Sequence, residues 1–289
     1  MLMKWRAKKI KTMQYVISII KDNLRQILET LLLIVGWFVS YYKVAGCLDY
    51  LKEKFLPNMS NLLEAIIMHI LDMVPEKVIV VFTVLLIIRL LYWYNKDFTM
   101  NQKNYYHDYP YFWYWYCRNI LGIKKCNLVL VPIHMQFKLV IDQLFEEFPL
   151  DEGEYPETED ARECKVTKNI FKDKDGEINL ILEDTYLIDN NQIPHDKQDL
   201  PTIKISRNDG KNMGRYFSQT FINTVINEVR SLPNRVRINI YATTNPMNTL
   251  NIAQRVFKIA NRGNIEHLYV YQQENTGNRI FKSDEHKIY

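Results

Sequence analysis

Polar and basic side chains stand directly after apolar segments in the C-terminal half of this 289-residue chain. TIKIS at 202–206 is followed by a loop with two glycines and several cations, and RINIYA at 237–242 is followed by Thr-Thr-Asn-Pro. Cations and the free N–H groups at a helix start bind anions, and phosphate is the anion such sites usually hold. The sequence therefore predicts a ligand site formed by Arg207, Lys211, Arg215, Thr243, Thr244, Asn245 and Gln272.

A sheet must bring these side chains together, and the order of the segments predicts one. Apolar residues at helical spacing in 216–232 and 247–260 alternate with strand-like segments. The predicted strands are 127–131, 202–206, 237–242 and 266–271. Strands that alternate with helices form parallel sheets, and ligands bind beyond the carboxyl ends of their strands. We therefore expect an α/β fold with a Rossmann-like parallel sheet in residues 126–289.

An acidic stretch interrupts this pattern between residues 142 and 199, which carry 18 acidic and six basic side chains. Within it, Asp175-Gly176 lies between the strand-like segments 166–171 and 178–182, which is typical of a β-hairpin. We expect an inserted β-hairpin region here. The cations around Arg207 consequently have a structural alternative, since they could form salt bridges with this acidic region instead of binding a ligand.

No motif indicates catalysis or metal binding. The six histidines and four cysteines lack metal-site spacings, and there is no nucleophile elbow or kinase motif. The glycine-containing loop before Arg215 matches no nucleotide fingerprint, and Thr-Asn-Pro at 244–246 is also a common helix cap. We expect a binding domain without enzymatic activity, metal or resident cofactor.

The N-terminal third, residues 1–125, has the composition of a membrane region. The apolar segment 27–46 has 20 residues and would span about 30 Å as a helix, which is the thickness of a bilayer core. The second apolar segment, 78–94, would span about 25 Å. These lengths predict two transmembrane helices.

The flanking charges predict the orientation of these helices. Residues 1–25 carry seven basic side chains and one acidic one. Five more basic residues follow the second segment, the last of them Lys125. The positive-inside rule therefore places both termini in the cytoplasm of a multi-pass inner-membrane protein. The segment 62–74 fits an interfacial helix between the spans. One alternative is a lipoprotein cleavage box at 44–47, which would lipidate Cys47.

Two further patterns belong to the membrane region. The segment 105–116 has nine aromatic residues in twelve, which favours an anchor at the lipid headgroups over base stacking. In the first span, Glu29, Gly36, Ser40 and Lys43 recur on one helical face. We expect this stripe to line a pore or a helix contact, although snorkelling of the two charges is an equal alternative.

The segment 238–273 resembles the closing strand–helix–strand of SAVED and related CARF domains, with TTNP opening the helix and YQQ ending the strand. The resemblance is good over these residues and loose over 127–289. Such domains sense cyclic or linear oligonucleotides in bacterial antiviral systems. The resemblance implies that Thr243, Thr244, Asn245 and Gln272 face the ligand, and that 207–215 is a second ligand loop. The acidic region 151–199 and the short domain depart from the family pattern.

Together these features resemble membrane effectors linked to nucleotidyltransferases in anti-phage defence. We expect an oligonucleotide second messenger to gate a pore in the lipid bilayer. A homo-oligomer of four or more is expected, because two helices cannot enclose an ion path. Two alternatives remain open: a membrane-tethered adaptor that binds a protein partner, and a membrane-anchored nucleotide hydrolase.

Overall fold

A computed structural model describes residues 20, 23–55, 76–157, 164–169, 176–207, 214–258, 264–274 and 277–289. Side chains are described in these ranges except for 42–55, Glu76 and Ile79. The predicted interfacial helix 62–74 and the side chains of the cleavage box 44–47 lie outside the described residues. The chain divides into two compact units. The first is 1–98 with 115–124, and the second is 99–114 with 125–289.

The first unit contains two long helices that pack against each other, α1 (Leu24–Phe55) and α2 (Glu76–Tyr94). The window Leu24–Tyr41 of α1 is long and apolar enough to cross a membrane, and only 17% of it is buried. The apolar part of α2, Val80–Tyr94, is shorter. The predicted spans 27–46 and 78–94 therefore fall within two observed helices.

Both helices expose apolar side chains, and α1 buries several of its polar ones. Side chains about half exposed or more include Leu28, Leu32 and Val35 of α1, and Val81, Phe82 and Leu85 of α2. In contrast, Glu29 is 6% exposed and Ser40 is 4% exposed. A water-soluble helix pair shows the opposite arrangement, because apolar burial stabilises it. This inversion is typical of helices that face lipid.

The second unit contains a six-stranded mixed sheet. Its strands are β3 (Lys165–Asn169), β4 (Glu177–Glu183), β5 (Thr202–Ser206), β6 (Val236–Ala242), β7 (Ile265–Gln273) and β8 (Phe281–Lys287). They are ordered β3-β5-β4-β6-β7-β8. The central four are parallel, and both edge strands are antiparallel to their neighbours. The short strands β1 (Thr99–Met100) and β2 (Lys125–Cys126) form a separate parallel pair.

Among the described residues, three helices accompany these strands: α4 (Ile133–Ile141), α5 (Gln219–Arg230) and α6 (Pro246–Ile252), which continues as a π-helical turn over Ala253–Phe257. Helix α3 (Tyr111–Asn119) runs from the second unit into the first. α4 packs against β7, and α5 packs against β5 and α6. Helix α5 follows its apolar spacing closely, since Phe221, Val225 and Val229 are buried and the Ser218 side chain caps its start.

Two predictions about strands are wrong. Residues 127–131 form a turn, because the Asn127 side chain accepts a hydrogen bond from the Val129 N–H at 2.7 Å and Leu130 has a positive φ of 58°. The inserted β-hairpin is also absent, because β3 and β4 are separated by β5. Strand β4 is apolar over most of its length, and burial of both faces makes it a central strand. Asp175 lies outside the described residues.

The predicted aromatic anchor adopts helix α3 over Tyr111–Asn119. Phe112 and Trp115, three residues apart on this helix, are 68% and 41% exposed, whereas Tyr114 and Cys117 are fully buried. Burial raises the pKa of Tyr114 well above its usual value. The helix thus has one packed face and one exposed aromatic face, and its role at a lipid interface stays a prediction.

Four charged side chains form a network on one face of the sheet: Glu177, Lys197, Arg237 and Glu285. Lys197 Nζ lies 2.9 Å from Glu177 and 3.1 Å from Glu285, and Arg237 Nη2 lies 2.8 Å from Glu285. Burial opposes ionisation of both carboxyl groups. Hydrogen bonds outweigh it, from Asn239 and Lys197 to Glu177 and from Lys197 and Tyr271 to Glu285, so the pKa of each carboxyl is lowered. The network is therefore ionised at neutral pH.

We expect Glu285→Gln to lower the free energy of unfolding by about 1 kcal/mol at pH 7, since the pair is partly screened by solvent. Because the folded-state pKa is lowered, this stabilisation is complete above the ordinary value of 4.5 and disappears as the pH falls through the folded value. Thermal unfolding of detergent-solubilised full-length protein from pH 7 to pH 3 measures both effects. Glu266→Gln, on the exposed side of β7, is the control; equal melting of E285Q and E266Q would contradict the prediction.

Candidate functional site

The carboxyl ends of the four parallel strands lie at one edge of the sheet, and most of the predicted ligand residues follow these ends directly. Arg207 follows β5, and Thr243, Thr244 and Asn245 follow β6. Gln272 is the second-last residue of β7. The antiparallel edge strand β8 begins at this same edge, opposite the end of β7. The fold therefore gathers residues that are more than sixty positions apart in sequence.

The buried carboxylate of Asp184, directly after β4, organises this edge. Its Oδ1 accepts a hydrogen bond from the Arg207 guanidinium. Its Oδ2 accepts bonds from the Asn245 N–H at 3.0 Å, the Asn245 side chain at 2.9 Å and the Asn248 side chain at 2.8 Å. The Asp184 side chain is 0% exposed and that of Arg207 is 10% exposed. Burial raises the pKa of Asp184 despite the opposing effect of Arg207.

The remaining polar atoms around Asp184 also find partners within the protein. Asn245 is the N-cap of α6 and accepts the Asn248 N–H at 2.9 Å. Thr243 donates to the Tyr186 carbonyl at 2.7 Å, and the hydroxyls of Thr244 and Thr249 lie 2.7 Å apart. A buried, fully bonded network of this kind fixes local structure. The ligand role of Arg207, Thr243, Thr244 and Asn245 stays a prediction.

The predicted cationic loop is described only at its two ends. Arg207 begins it, and its Nη2 donates to the Gly214 carbonyl at 2.9 Å, which draws the two ends together. Arg215 at the far end is exposed. Lys211 lies outside the described residues. Of the two predicted cations whose side chains are described, Arg207 and Arg215, Arg215 is the exposed one.

A cavity of about 440 Å³ opens beside the end of β7. Its lining residues come from the end of β7 and the residue after it, from β8, from the loops before α3 and α4 and from the first turn of α4: Tyr106, Asp108, Pro132, His134, Gln272, Gln273, Glu274, Lys282, Asp284 and His286. The Gln272 side-chain oxygen accepts the Ile133 N–H at 2.9 Å and lies 3.3 Å from His134 Nδ1. The His134 and His286 rings stack with their centroids 3.6 Å apart. Gln272 thus lines a cavity, and its side-chain oxygen is already bonded to the start of α4.

The electrostatics of this cavity differ from those of a phosphate site. Burial, together with the adjacent His286, lowers the pKa of His134 to about 4, and burial also lowers the pKa of His286. Both imidazoles are therefore neutral at pH 7. Three carboxylates face one ammonium group among the lining residues, from Asp108, Glu274, Asp284 and Lys282. The Gln273 side-chain nitrogen is buried and has no hydrogen-bond partner among the described residues. The cavity consequently suits a ligand portion that donates hydrogen bonds to the carboxylates.

Most residues that line this cavity could not be predicted as site residues from the sequence. Lys282, Asp284 and His286 lie on β8, whose sequence FKSDEHK has a single large apolar residue and was not predicted as a strand. Their alternate spacing is the signal that places them on one face of a strand. His134 precedes most of α4, but the predicted strand before it does not exist.

The predicted membrane stripe lies against the second helix of the first unit. A Cβ added at Gly36 would collide with the Ile87 side chain of α2. Ser40 donates to the Gly36 carbonyl at 2.7 Å, and Glu29 bonds Arg25 and Asn95. The side chain of Lys43 lies outside the described residues. Gly36 therefore lies at the contact with α2, Glu29 and Ser40 are buried, and a pore-lining role stays a prediction.

Comparison with known proteins gives a family match and, among the solved structures, a similarity to a receptor at low sequence identity. A family model described as "SMODS- and Ubiquitin system-associated 2TM effector domain" matches residues 7–289. No curated protein matches the chain. The Acinetobacter baumannii Cap4 SAVED/CARF-domain containing receptor with the cyclic trinucleotide 3′3′3′-cAAA has a TM-score of 0.36 and 11% identity, covering 56% of this chain and 38% of the receptor. The same receptor with 2′3′3′-cAAA has a TM-score of 0.36 and 10% identity, and the match covers 60% of this chain and 40% of the receptor. The chain thus spans about two-fifths of the receptor's length.

Proposed function

The chain belongs to the SMODS- and ubiquitin system-associated 2TM effector family, and from this premise we propose that it is an oligonucleotide-gated membrane effector of anti-phage defence. The family match over 7–289 is the observation that carries the proposal. Both helices cross the inner membrane, with both termini in the cytoplasm. Four or more copies assemble, because a pair of helices cannot surround an ion path.

The inverted burial of α1 and α2 supports the membrane part of this proposal. Their exposed apolar surface has a stabilising environment only in lipid, and Glu29 at 6% exposure is shielded from it. The second unit then lies in the cytoplasm, where a nucleotidyltransferase linked to the effector would release its product.

The carboxyl edge of the sheet is the proposed ligand site. Exposed Arg215, with Lys211 four residues earlier in the sequence, supplies positive charge for the phosphates. The cavity at Gln272 has neutral imidazoles and an excess of carboxylates, so it favours the base or ribose over phosphate. The cluster of Asp184 with Arg207 and Asn245 stabilises the carboxyl edge of the sheet, and the charge of Arg207 is paired with that of Asp184.

We expect Arg215→Ala to weaken oligonucleotide binding about tenfold, since one exposed charge-assisted contact to phosphate is lost. The measurement is a calorimetric titration of full-length protein in detergent with cyclic and linear di-, tri- and tetranucleotides. Arg230→Ala removes an exposed arginine from the other end of α5 and is the matched control. Equal affinity of R215A and R230A would remove Arg215 from the site. Failure of every oligonucleotide to bind wild-type protein would refute the sensing function.

A further inference from the structure

One polar cluster in the first unit joins α1, the end of α2 and the segment 116–122. The Asn95 side chain is fully buried at its centre. Its nitrogen donates to the Leu121 carbonyl at 2.7 Å and to Glu29 Oε2 at 2.9 Å, and its oxygen accepts from Arg25 Nη2 at 2.7 Å. Arg25 also bonds Glu29 at 3.0 Å. One amide group therefore links the end of α2 to two other parts of the chain, α1 and the segment 116–122.

Further contacts hold the same segment against both helices. The Tyr116 hydroxyl donates to Thr30 Oγ1 on α1 at 3.0 Å, and the Tyr92 hydroxyl on α2 donates to the Asn119 carbonyl at 2.7 Å. Gly122 has a φ of +77°, and a Cβ there would lie 2.6 Å from the Tyr92 backbone. The segment therefore fits closely against the helices, so a displacement of the segment must also displace the side chains of the helices that it contacts.

The path of the chain gives this contact its significance. The segment 115–124 belongs to the first unit, but residues 99–114 before it and 125–289 after it belong to the second. Both ends of the segment are thus covalently continuous with the unit that carries the candidate ligand site. A ligand-dependent change in the second unit acts on both ends of a segment that is hydrogen-bonded to both apolar helices.

We propose that this clasp, formed by Asn95, Tyr116 and Gly122 with their partners, transmits the ligand state of the second unit to the apolar helices. The inference rests on the proposed oligonucleotide-gated function and assigns its coupling element. Coupling requires a contact that biases two arrangements, and a buried network has few intermediate arrangements. Breaking the clasp should therefore separate ligand binding from the membrane response. A role in folding alone would instead reduce both together.

The test compares binding with dye release from liposomes that contain the full-length protein. Asn95→Ala removes three hydrogen bonds, and Tyr116→Phe removes one hydroxyl with little change in shape. Asn104→Ala, at an exposed asparagine, is the control. We expect both clasp variants to bind the oligonucleotide within twofold of wild type while ligand-dependent release falls at least tenfold for N95A and threefold for Y116F.

Wild-type release from Y116F and a folded N95A would overturn the inference, as would equal losses of binding and release in Y116F. If N95A does not fold, Y116F alone decides between these results. If the wild-type protein binds no oligonucleotide, the proposed function fails separately. The clasp is then judged on basal release, which Y116F must shift at least twofold in either direction, and unchanged basal release would refute it.

Discussion

Replacing Asp184 with alanine is expected to lower the free energy of unfolding of the second unit by about 3–5 kcal/mol, the range for removing one partner of a buried ion pair. The variant leaves the Arg207 guanidinium at 10% exposure without its carboxylate. It also removes the carboxylate oxygen that accepts hydrogen bonds from the Asn245 N–H and from the side-chain nitrogens of Asn245 and Asn248. Thermal and urea unfolding of full-length protein in detergent, followed by near-ultraviolet circular dichroism, measures the loss.

The controls for this experiment separate charge from position. Asp199→Ala removes an exposed carboxylate from the same acidic region and should change stability by less than about 0.5 kcal/mol. Arg207→Ala should also destabilise the protein, because it leaves the buried Asp184 carboxyl without its cationic partner. A D184A protein as stable as D199A would show that the cluster does not hold the carboxyl edge together. Arg207 would then be free to serve as a ligand residue.

Replacing Gly36 with leucine is expected to destabilise the helix pair by about 1–3 kcal/mol, the usual range for overpacking. The backbone of α1 lies so close to Ile87 of α2 that even a Cβ collides with its side chain. Alanine should be tolerated better, because the end of the isoleucine side chain can move. A leucine requires the helices to separate.

Thermal aggregation of detergent-solubilised protein, followed by size-exclusion chromatography, ranks these variants. The expected order of stability is wild type, then G36A, then G36L. Val35→Leu is the matched control, because Val35 is 54% exposed on the adjacent outer surface of the same helix. Equal stability of G36L and V35L would mean that the helices do not pack through Gly36.

The apolar helices and the central strands could be predicted from sequence because their signals are local. Long apolar runs give the helices α1 and α2 directly. Thr202–Ser206 and Val236–Ala242 were predicted as strands almost to the residue, and the structure confirms them. Each is short, rich in isoleucine and followed by turn or capping residues, so neither its type nor its end depended on distant contacts.

The failures arose where a distant partner decides the local structure. The edge strand β8 (Phe281–Lys287) has little apolar content, and its hydrogen bonds to β7 make it a strand. The expected hairpin failed because β4 inserts between β5 and β6, a choice that turn residues cannot encode. Arg207 lies at the strand ends as predicted, and its ligand role stays a prediction. Its partner Asp184, 23 residues earlier, could not be identified from the sequence, because the two residues meet only where β4 and β5 pair.

The central claim is that an oligonucleotide bound to the second unit opens the membrane unit. The most direct measurement is the current across a planar bilayer that contains the purified full-length protein, before and after the tightest-binding oligonucleotide is added to the cytoplasmic side. We expect discrete conductance steps that require the oligonucleotide, and about tenfold more oligonucleotide should be needed for Arg215→Ala than for Arg230→Ala. Current that is identical with and without a bound oligonucleotide would contradict the account.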